Sequence, residues 1–164
     1  MDVKVNTAKV AGRRHVRFES IDEVLAEVER IRIADQDGVL ETLGNWSAGQ
    51  ILAHVAAWIE YGYSGYPLKA PPFPLNWILR WMGKRMLKTG MNPGVRIPNV
   101  KEGTFGQDVM DVGEAADRLS RALLRLKNGE QCQYDSPAFG PMSHEDRLKL
   151  NLRHAELHLG FIRY

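Results

Sequence analysis

The sequence has little of what would crosslink a protein or anchor it in a membrane. Cys132 is the only cysteine among 164 residues, so an intramolecular disulfide and a cysteine-based zinc site are both excluded. No apolar run approaches the roughly 18 residues needed to cross a bilayer. Residues 1–6 show no apolar stretch behind a basic one, which argues against a secretory signal. These absences favour a cytoplasmic protein.

A strong excess of charge of one sign is also lacking. The chain has 22 Lys and Arg against 20 Asp and Glu, and the formal net charge of +2 is too weak to indicate nucleic acid as a partner. The charge is unevenly spread, however, because residues 75–100 contain basic residues and no acidic one. The basic bias therefore belongs to one segment rather than to the whole chain.

Length and composition predict a single globular domain over residues 1–164. Apolar residues make up 44% of the chain, which is ordinary for a globular protein. A chain of this length buries a sizeable core without disulfides or a structural metal. Any metal is therefore not needed to hold the fold together. Residues 1–19 are polar and basic and are interpreted as an extended lead-in.

Capping signals and apolar residues at helical spacing predict an all-α protein. Four long helices are expected: from Ser20 to before Asp37-Gly38, from Ser47 to about Tyr63, from Asp111 to Asn128-Gly129, and from Ser143 nearly to Tyr164. Three of them begin with the residue pairs of a capping box: Ser20 with Glu23, Ser47 with Gln50, and Asp111 with Glu114. No alternation of period two indicates a strand. A four-helix bundle is the natural architecture for these elements.

The connection between the second and third core helices is predicted to hold a shorter helix and a long loop. Residues 75–88 form an amphipathic pattern whose apolar stripe is widened by Trp77 and Trp81. Three interpretations of this basic helix stay open: packing over the bundle, which is favoured, a homodimer contact, and the least favoured, an anionic membrane surface. Its cations would alternatively attract an anionic substrate. The loop at 89–109 is long enough to be either functional or disordered.

Three histidines are candidate metal ligands. His154 and His158 are four residues apart on the last helix, so their side chains leave the same face about 6 Å apart. That spacing lets two imidazoles share one ion. His54 lies in the middle of the second helix, and bundle sites are built from inward side chains on facing helices. Glu156 is expected to face solvent, because it points away from His154.

Spacing alone leaves a second interpretation of these histidines open. Histidines on apolar helix faces are often buried residues satisfied by a single hydrogen bond, and on spacing alone this interpretation is favoured over metal binding. His144 stands at a helix start and is expected to be a capping or surface residue. His15 lies in a basic stretch and is expected to be exposed.

A family resemblance favours the metal interpretation. The segment Trp46–Val55, including His54, is similar to the second-helix signature of the DinB/YfiT-like superfamily. The segments 136–145 and 152–158 resemble the C-terminal signature of an uncharacterised bacterial branch of that superfamily, as does 14–30. The resemblance implies a DinB-like four-helix bundle. It also implies a divalent metal, nickel or zinc, held by one histidine of the second helix and two of the last, here His54, His154 and His158.

The resemblance also implies a class of chemistry. Characterised relatives include transferases that use low-molecular-weight thiols such as mycothiol or bacillithiol, and related isomerases. A metal-dependent enzyme acting on a small-molecule substrate is therefore expected. Asn151 is a candidate pocket residue. Further candidates are Trp58, Tyr61 and the loop around Phe73, for each of which core packing is the favoured interpretation. No catalytic acid or base is assigned. The alternative is a non-catalytic helical binding or dimerisation module.

Overall fold

A computed structural model describes residues 4–164, and its architecture is mainly helical. Five helices pack as a bundle, with a single 3-10 turn, Thr7–Lys9, in the lead-in. In chain order the helices are α1 (Ile21–Gln36), α2 (Ala48–Ser64), α3 (Leu75–Thr89), α4 (Val112–Lys127) and α5 (His144–Leu159). The predicted all-α bundle with an inserted helix and a long loop is thus confirmed.

Serine side chains cap the starts of α1, α2 and α5. Ser47 completes a full capping box, because its side chain accepts from the Gln50 N–H while the Gln50 side chain accepts from the Ser47 N–H. Ser20 caps the Glu23 N–H, but the Glu23 carboxylate accepts from Glu19 rather than from Ser20. Asp111 is the N-cap of α4 without any side-chain capping bond, so the box predicted there does not form.

The last helix is shorter than predicted. It ends at Leu159 instead of continuing nearly to Tyr164. The chain then forms strand β2 (Ile162–Arg163), which pairs antiparallel with β1 (Glu41–Thr42). No strand was expected, because a two-residue pairing leaves no periodic pattern in the sequence. This small sheet joins the α1–α2 connection to the end of the chain.

The core lies between α1, α2, α4 and α5. Helix α2 packs against α4 and α5, and α1 packs against the same two helices. The most deeply buried apolar side chains come from all four: Val24, Ile31, Leu52, Val55, Leu119, Leu123, Leu126 and Leu159. Because this core is continuous and apolar, burial supplies the main stabilisation of the fold.

Helix α3 lies outside this core and packs against α5. Gly83 of α3 also faces the connection that precedes α5, where an added Cβ would come within 2.3 Å of the Phe139 ring. The helix therefore turns its Gly83 side inward, and Trp77 and Trp81 lie on the opposite side. Both tryptophans are exposed, although the periodicity placed them beside the buried stripe. Among the described residues, no helix is both long and apolar enough to cross a membrane.

Candidate metal centre

Packing of α2 against α5 brings the three predicted histidines together. His54 points from the middle of α2 into the core and is buried, while His154 and His158 are half-buried on consecutive turns of α5. The ring centroids are 5.1 Å apart for His54 and His154, 4.4 Å for His54 and His158, and 4.6 Å for the α5 pair. One ring nitrogen of each residue lies within 4.8 Å of the other two.

The donor set suits a borderline metal ion. Imidazole nitrogens bind zinc at about 2.0–2.1 Å, which places two ligands of a tetrahedral ion about 3.3 Å apart. The separations of at most 4.8 Å exceed this value by no more than about 1.5 Å. Three imidazoles without a carboxylate leave at least one coordination position open. The cluster can therefore hold a metal ion.

A backbone carbonyl sets the tautomer of His54. The Phe105 carbonyl lies 2.8 Å from His54 Nδ1 and also accepts from Trp58 Nε1 at 3.2 Å. A carbonyl oxygen only accepts, so Nδ1 carries the proton and Nε2 keeps a free lone pair. Metal-binding histidines usually donate their second ring N–H to such a partner, which fixes the orientation of the ring. The contact is therefore consistent with a ligand role for His54.

The long loop before α4 is held against α2 by charge. Arg118 of α4 donates to Glu60 at 2.7 Å and to Asp108 at 2.8 Å. Gly106, with φ +79°, lies so close to α2 that an added Cβ would be 2.6 Å from the Ala57 Cβ. These contacts keep the Phe105 carbonyl at His54. The end of the loop, from Phe105 to Asp108, is thus part of the surroundings of His54.

Burial keeps the cluster neutral. Desolvation lowers the pKa of His54 to about 4, against a weaker opposing effect of the Phe105 hydrogen bond. Desolvation also holds the pKa of His154 and of His158 well below the usual value, and the neighbouring histidines add to this. All three rings are therefore neutral at pH 7, the state in which an imidazole binds a metal.

A cavity of about 870 Å³ opens onto the three rings. Trp46 lines it and stacks on His158, with centroids 5.8 Å apart and planes inclined by 16°. Of the candidate pocket residues, Trp58 and Asn151 also line it, whereas Tyr61 does not. Phe73 is instead on the surface and 80% exposed. The volume is sufficient for a small organic molecule beside the histidines.

Glu156 is buried, contrary to the prediction that it faces solvent. Its carboxylate accepts from the Phe18 N–H at 2.8 Å and pairs with Arg153 at 3.0 Å and Arg17 at 3.5 Å. Helix geometry correctly predicted that Glu156 points away from His154. The lead-in, however, folds over that side of α5 and buries it. Glu156 therefore anchors the lead-in rather than serving the histidine cluster.

The other two histidines lie outside the cluster. His15 and His144 are exposed, as expected. Sequence reasoning missed the Phe105 carbonyl and the stacking of Trp46. A backbone carbonyl has no residue-type signal, whereas a tryptophan directly before the Ser47 cap was a visible clue to packing near the start of α2.

Comparison with protein families gives one result that covers nearly the whole chain. Residues 10–164 match the family described as Protein of unknown function (DUF1569). Searches of curated proteins and of solved structures gave no significant match. The matched range includes all five helices and the three histidines. The chain therefore belongs to the DUF1569 family.

Proposed function

We propose that this protein is a metal-dependent enzyme of the DinB/YfiT-like type, in which His54, His154 and His158 bind one divalent ion. The observation that carries the proposal is the convergence of three neutral imidazoles on a cavity of about 870 Å³. One histidine from the second helix and two from the last match the ligand pattern of the resemblance. Nickel and zinc are the ions that best suit imidazole donors.

The chemistry of the donor set supports catalysis over a purely structural role. Structural zinc sites usually have four protein ligands, whereas catalytic sites have three and an open position. A bound ion lowers the pKa of a coordinated water or thiol toward neutrality. A low-molecular-weight thiol acting on a small electrophile is therefore the proposed substrate class.

The residues around the cluster have defined parts in this proposal. The Phe105 carbonyl holds His54 in the Nδ1-protonated form, so that Nε2 is directed to the ion. Trp46 and Trp58 supply flat apolar surfaces for the body of a substrate. Asn151 donates to the Arg147 carbonyl, which fixes its side chain at the cavity wall. No side chain is assigned as the catalytic acid or base.

Metal content tests the proposal directly. The wild-type protein is produced in medium supplemented with nickel and zinc, purified, and measured by elemental analysis and by titration of the metal-free form. We expect about one ion per chain in the wild type and a loss in His154→Ala. His144→Ala, which removes an exposed histidine of the same helix, is the matched control and should bind like the wild type.

Two results would contradict the proposal. A wild-type protein that is metal-free and binds no ion on titration would favour a binding module without catalysis. Unchanged binding in His154→Ala, with the fold checked by circular dichroism, would refute the ligand assignment. Once occupancy is established, a screen of low-molecular-weight thiols against electrophiles tests the reaction class.

A further inference from the structure

The outer side of α3 is an exposed surface that combines aromatic and basic residues. Trp77 and Trp81, one turn apart, are 65% and 62% exposed. On the same side of the helix, Lys84, Arg85 and Lys88 are also exposed. We call this surface, formed by these five residues, the α3 outer face. It does not belong to the histidine cavity, because none of the five lines it.

Packing fixes the rotation of α3 about its axis and therefore keeps Trp77 and Trp81 exposed. Gly83 is the one buried residue of the helix and meets the Phe139 ring. Leu79 and Met86, close to the direction of Gly83, are half-buried. A rotation that buried Trp77 and Trp81 would carry Gly83 away from Phe139 and expose those apolar side chains instead.

Aliphatic side chains extend the apolar surface beside the outer face. Leu75, Ile78 and Met82 are each more than two-fifths exposed, and Phe73 precedes the helix at 80% exposure. Contiguous exposed apolar surface of this kind marks an interaction site. The surface is therefore expected to be covered in at least one state of the protein.

The charge around this surface is of one sign. Residues 61–101 contain no acidic side chain and seven basic ones: Lys69, Arg80, Lys84, Arg85, Lys88, Arg96 and Lys101. The three cations of the α3 outer face make no ion pair with any residue in the described range 4–164. By contrast, Arg32, Arg118 and Arg125 elsewhere on the protein are paired with carboxylates. The surface therefore favours an anionic partner.

We propose that the α3 outer face docks onto an anionic lipid surface. Tryptophan prefers the interface between headgroups and hydrocarbon, and lysine and arginine beside it attract anionic headgroups. An amphipathic helix with this pattern lies in the plane of the interface with its apolar side chains inserted. The protein would attach to the lipid surface through α3, independently of the histidine site.

Two other partners fit the same surface less well. A second copy of the chain would bring two cationic faces together, and like charges in an interface are repulsive. Single-stranded nucleic acid would stack on Trp77 and Trp81 but would gain little from the aliphatic side chains of Leu75, Ile78 and Met82. A lipid interface uses the aromatic, aliphatic and basic side chains together.

Vesicle binding tests the proposal on the full-length protein. Co-sedimentation is measured with vesicles of phosphatidylcholine alone and of phosphatidylcholine mixed with phosphatidylglycerol. We expect association with the anionic vesicles only, weakening as salt is added. Brominated lipids should quench the tryptophan fluorescence of the wild type but not the residual fluorescence of Trp77→Ala/Trp81→Ala, in which only the cavity residues Trp46 and Trp58 remain.

Two variants with the same change in net charge distinguish binding through the α3 outer face from an effect of overall charge. Lys84→Glu/Lys88→Glu should weaken partitioning on the order of 25-fold or more, since each cation near an anionic surface contributes about fivefold. Lys9→Glu/Arg121→Glu changes the net charge equally, at exposed positions outside the α3 outer face, and should retain most of the binding.

Several outcomes would overturn the proposal. The first is no association with anionic vesicles at low salt. The second is equal loss in the two charge variants, which would indicate a net-charge effect. The third is dimerisation or binding of single-stranded RNA that depends on Trp77 and Trp81 without any vesicle binding. Circular dichroism of each variant distinguishes loss of the surface from loss of the fold.

Discussion

At the scale of single residues, the candidate site depends on Gly106, which has no side chain in the site. Gly106 allows the loop to approach α2 so closely that the adjoining Phe105 carbonyl reaches His54 Nδ1. Its φ of +79° is a conformation that other L-residues rarely adopt. His54 therefore relies on the backbone of a segment distant in the sequence for its hydrogen-bonding partner.

Gly106→Ala tests this dependence. The added Cβ would lie 2.6 Å from the Ala57 Cβ, so we expect the loop to shift and the hydrogen bond between Phe105 and His54 to be lost. Loss of such an outer partner typically weakens metal affinity about 10- to 100-fold, and we expect an effect of this size in competition with a chromophoric chelator.

Gly113→Ala is the control for this substitution. It lies in the first turn of α4, where an added Cβ meets nothing within 4 Å. Its metal affinity should equal that of the wild type. Equal affinities in the wild type, Gly106→Ala and Gly113→Ala would show that the Phe105 contact does not tune the site.

At the scale of elements, similar capping sequences have different outcomes. Ser47 and Gln50 exchange both hydrogen bonds of a capping box, whereas Asp111 makes no side-chain capping bond to α4. The Asp111 backbone has φ and ψ suited to an N-cap, but its side chain accepts no hydrogen bond from the first turn of the helix. Helix starts are therefore predictable from the sequence, while the hydrogen bonds that secure them depend on the surroundings.

Ser47→Ala and Asp111→Ala form a matched pair. Ser47→Ala removes a capping bond, so we expect it to lower the free energy of unfolding by about 1 kcal/mol. Asp111→Ala loses only the attraction of a carboxylate to the helix dipole, about 0.3 kcal/mol. Urea unfolding followed by circular dichroism measures both. An equal or larger loss for Asp111→Ala would contradict the assignment of these caps.

The rotation of α3 about its axis also depends on a tertiary contact. The apolar stripe predicted that α3 is amphipathic. It did not predict which side of the helix packs against the rest of the protein. The contact between Gly83 and Phe139 decides this, and it leaves Trp77 and Trp81 outside. Because a glycine carries no apolar side chain, hydrophobic periodicity gives it no weight as a buried position.

At the scale of the whole molecule, an apolar core is combined with a cluster of titratable histidines. The core consists of apolar side chains from four helices. Burial holds His54 neutral with a pKa of about 4, whereas an unfolded histidine has a pKa near 6.5. The unfolded chain therefore binds more protons than the folded chain between these two values.

Stability of the metal-free protein should therefore decrease in acid. Protonation favours the unfolded chain, so the free energy of unfolding is fully retained above pH 6.5 and falls as pH is lowered toward 4. His54 alone should contribute a loss of about 2 kcal/mol between pH 7.5 and 5, and His154 and His158 act in the same direction.

Urea unfolding of chelator-treated protein across this range measures the effect. His54→Gln should reduce the pH dependence, with His154 and His158 supplying what remains, whereas His144→Gln, a change at an exposed position, should keep the wild-type slope. Stability that stays constant from pH 7.5 to 5 would show that the histidines are accessible to protons in the folded protein.

The sequence by itself determined the features that depend on neighbours along the chain. Helix starts at Ser47 and Ser143 and the shared side of His154 and His158 follow from hydrogen bonds and side-chain positions within one or two turns. The family resemblance added the expectation that His54 joins the α5 pair. These features are local because each is set by a few consecutive residues.

Only the tertiary structure decided the contacts between distant segments. It brought His54 to α5, placed the Phe105 carbonyl on His54, covered Glu156 with the lead-in, and turned Trp77 and Trp81 outward. The physical reason is that helix packing and backbone hydrogen bonds join residues far apart in the chain. Such contacts are chosen by shape and burial, which no periodic pattern or residue type encodes alone.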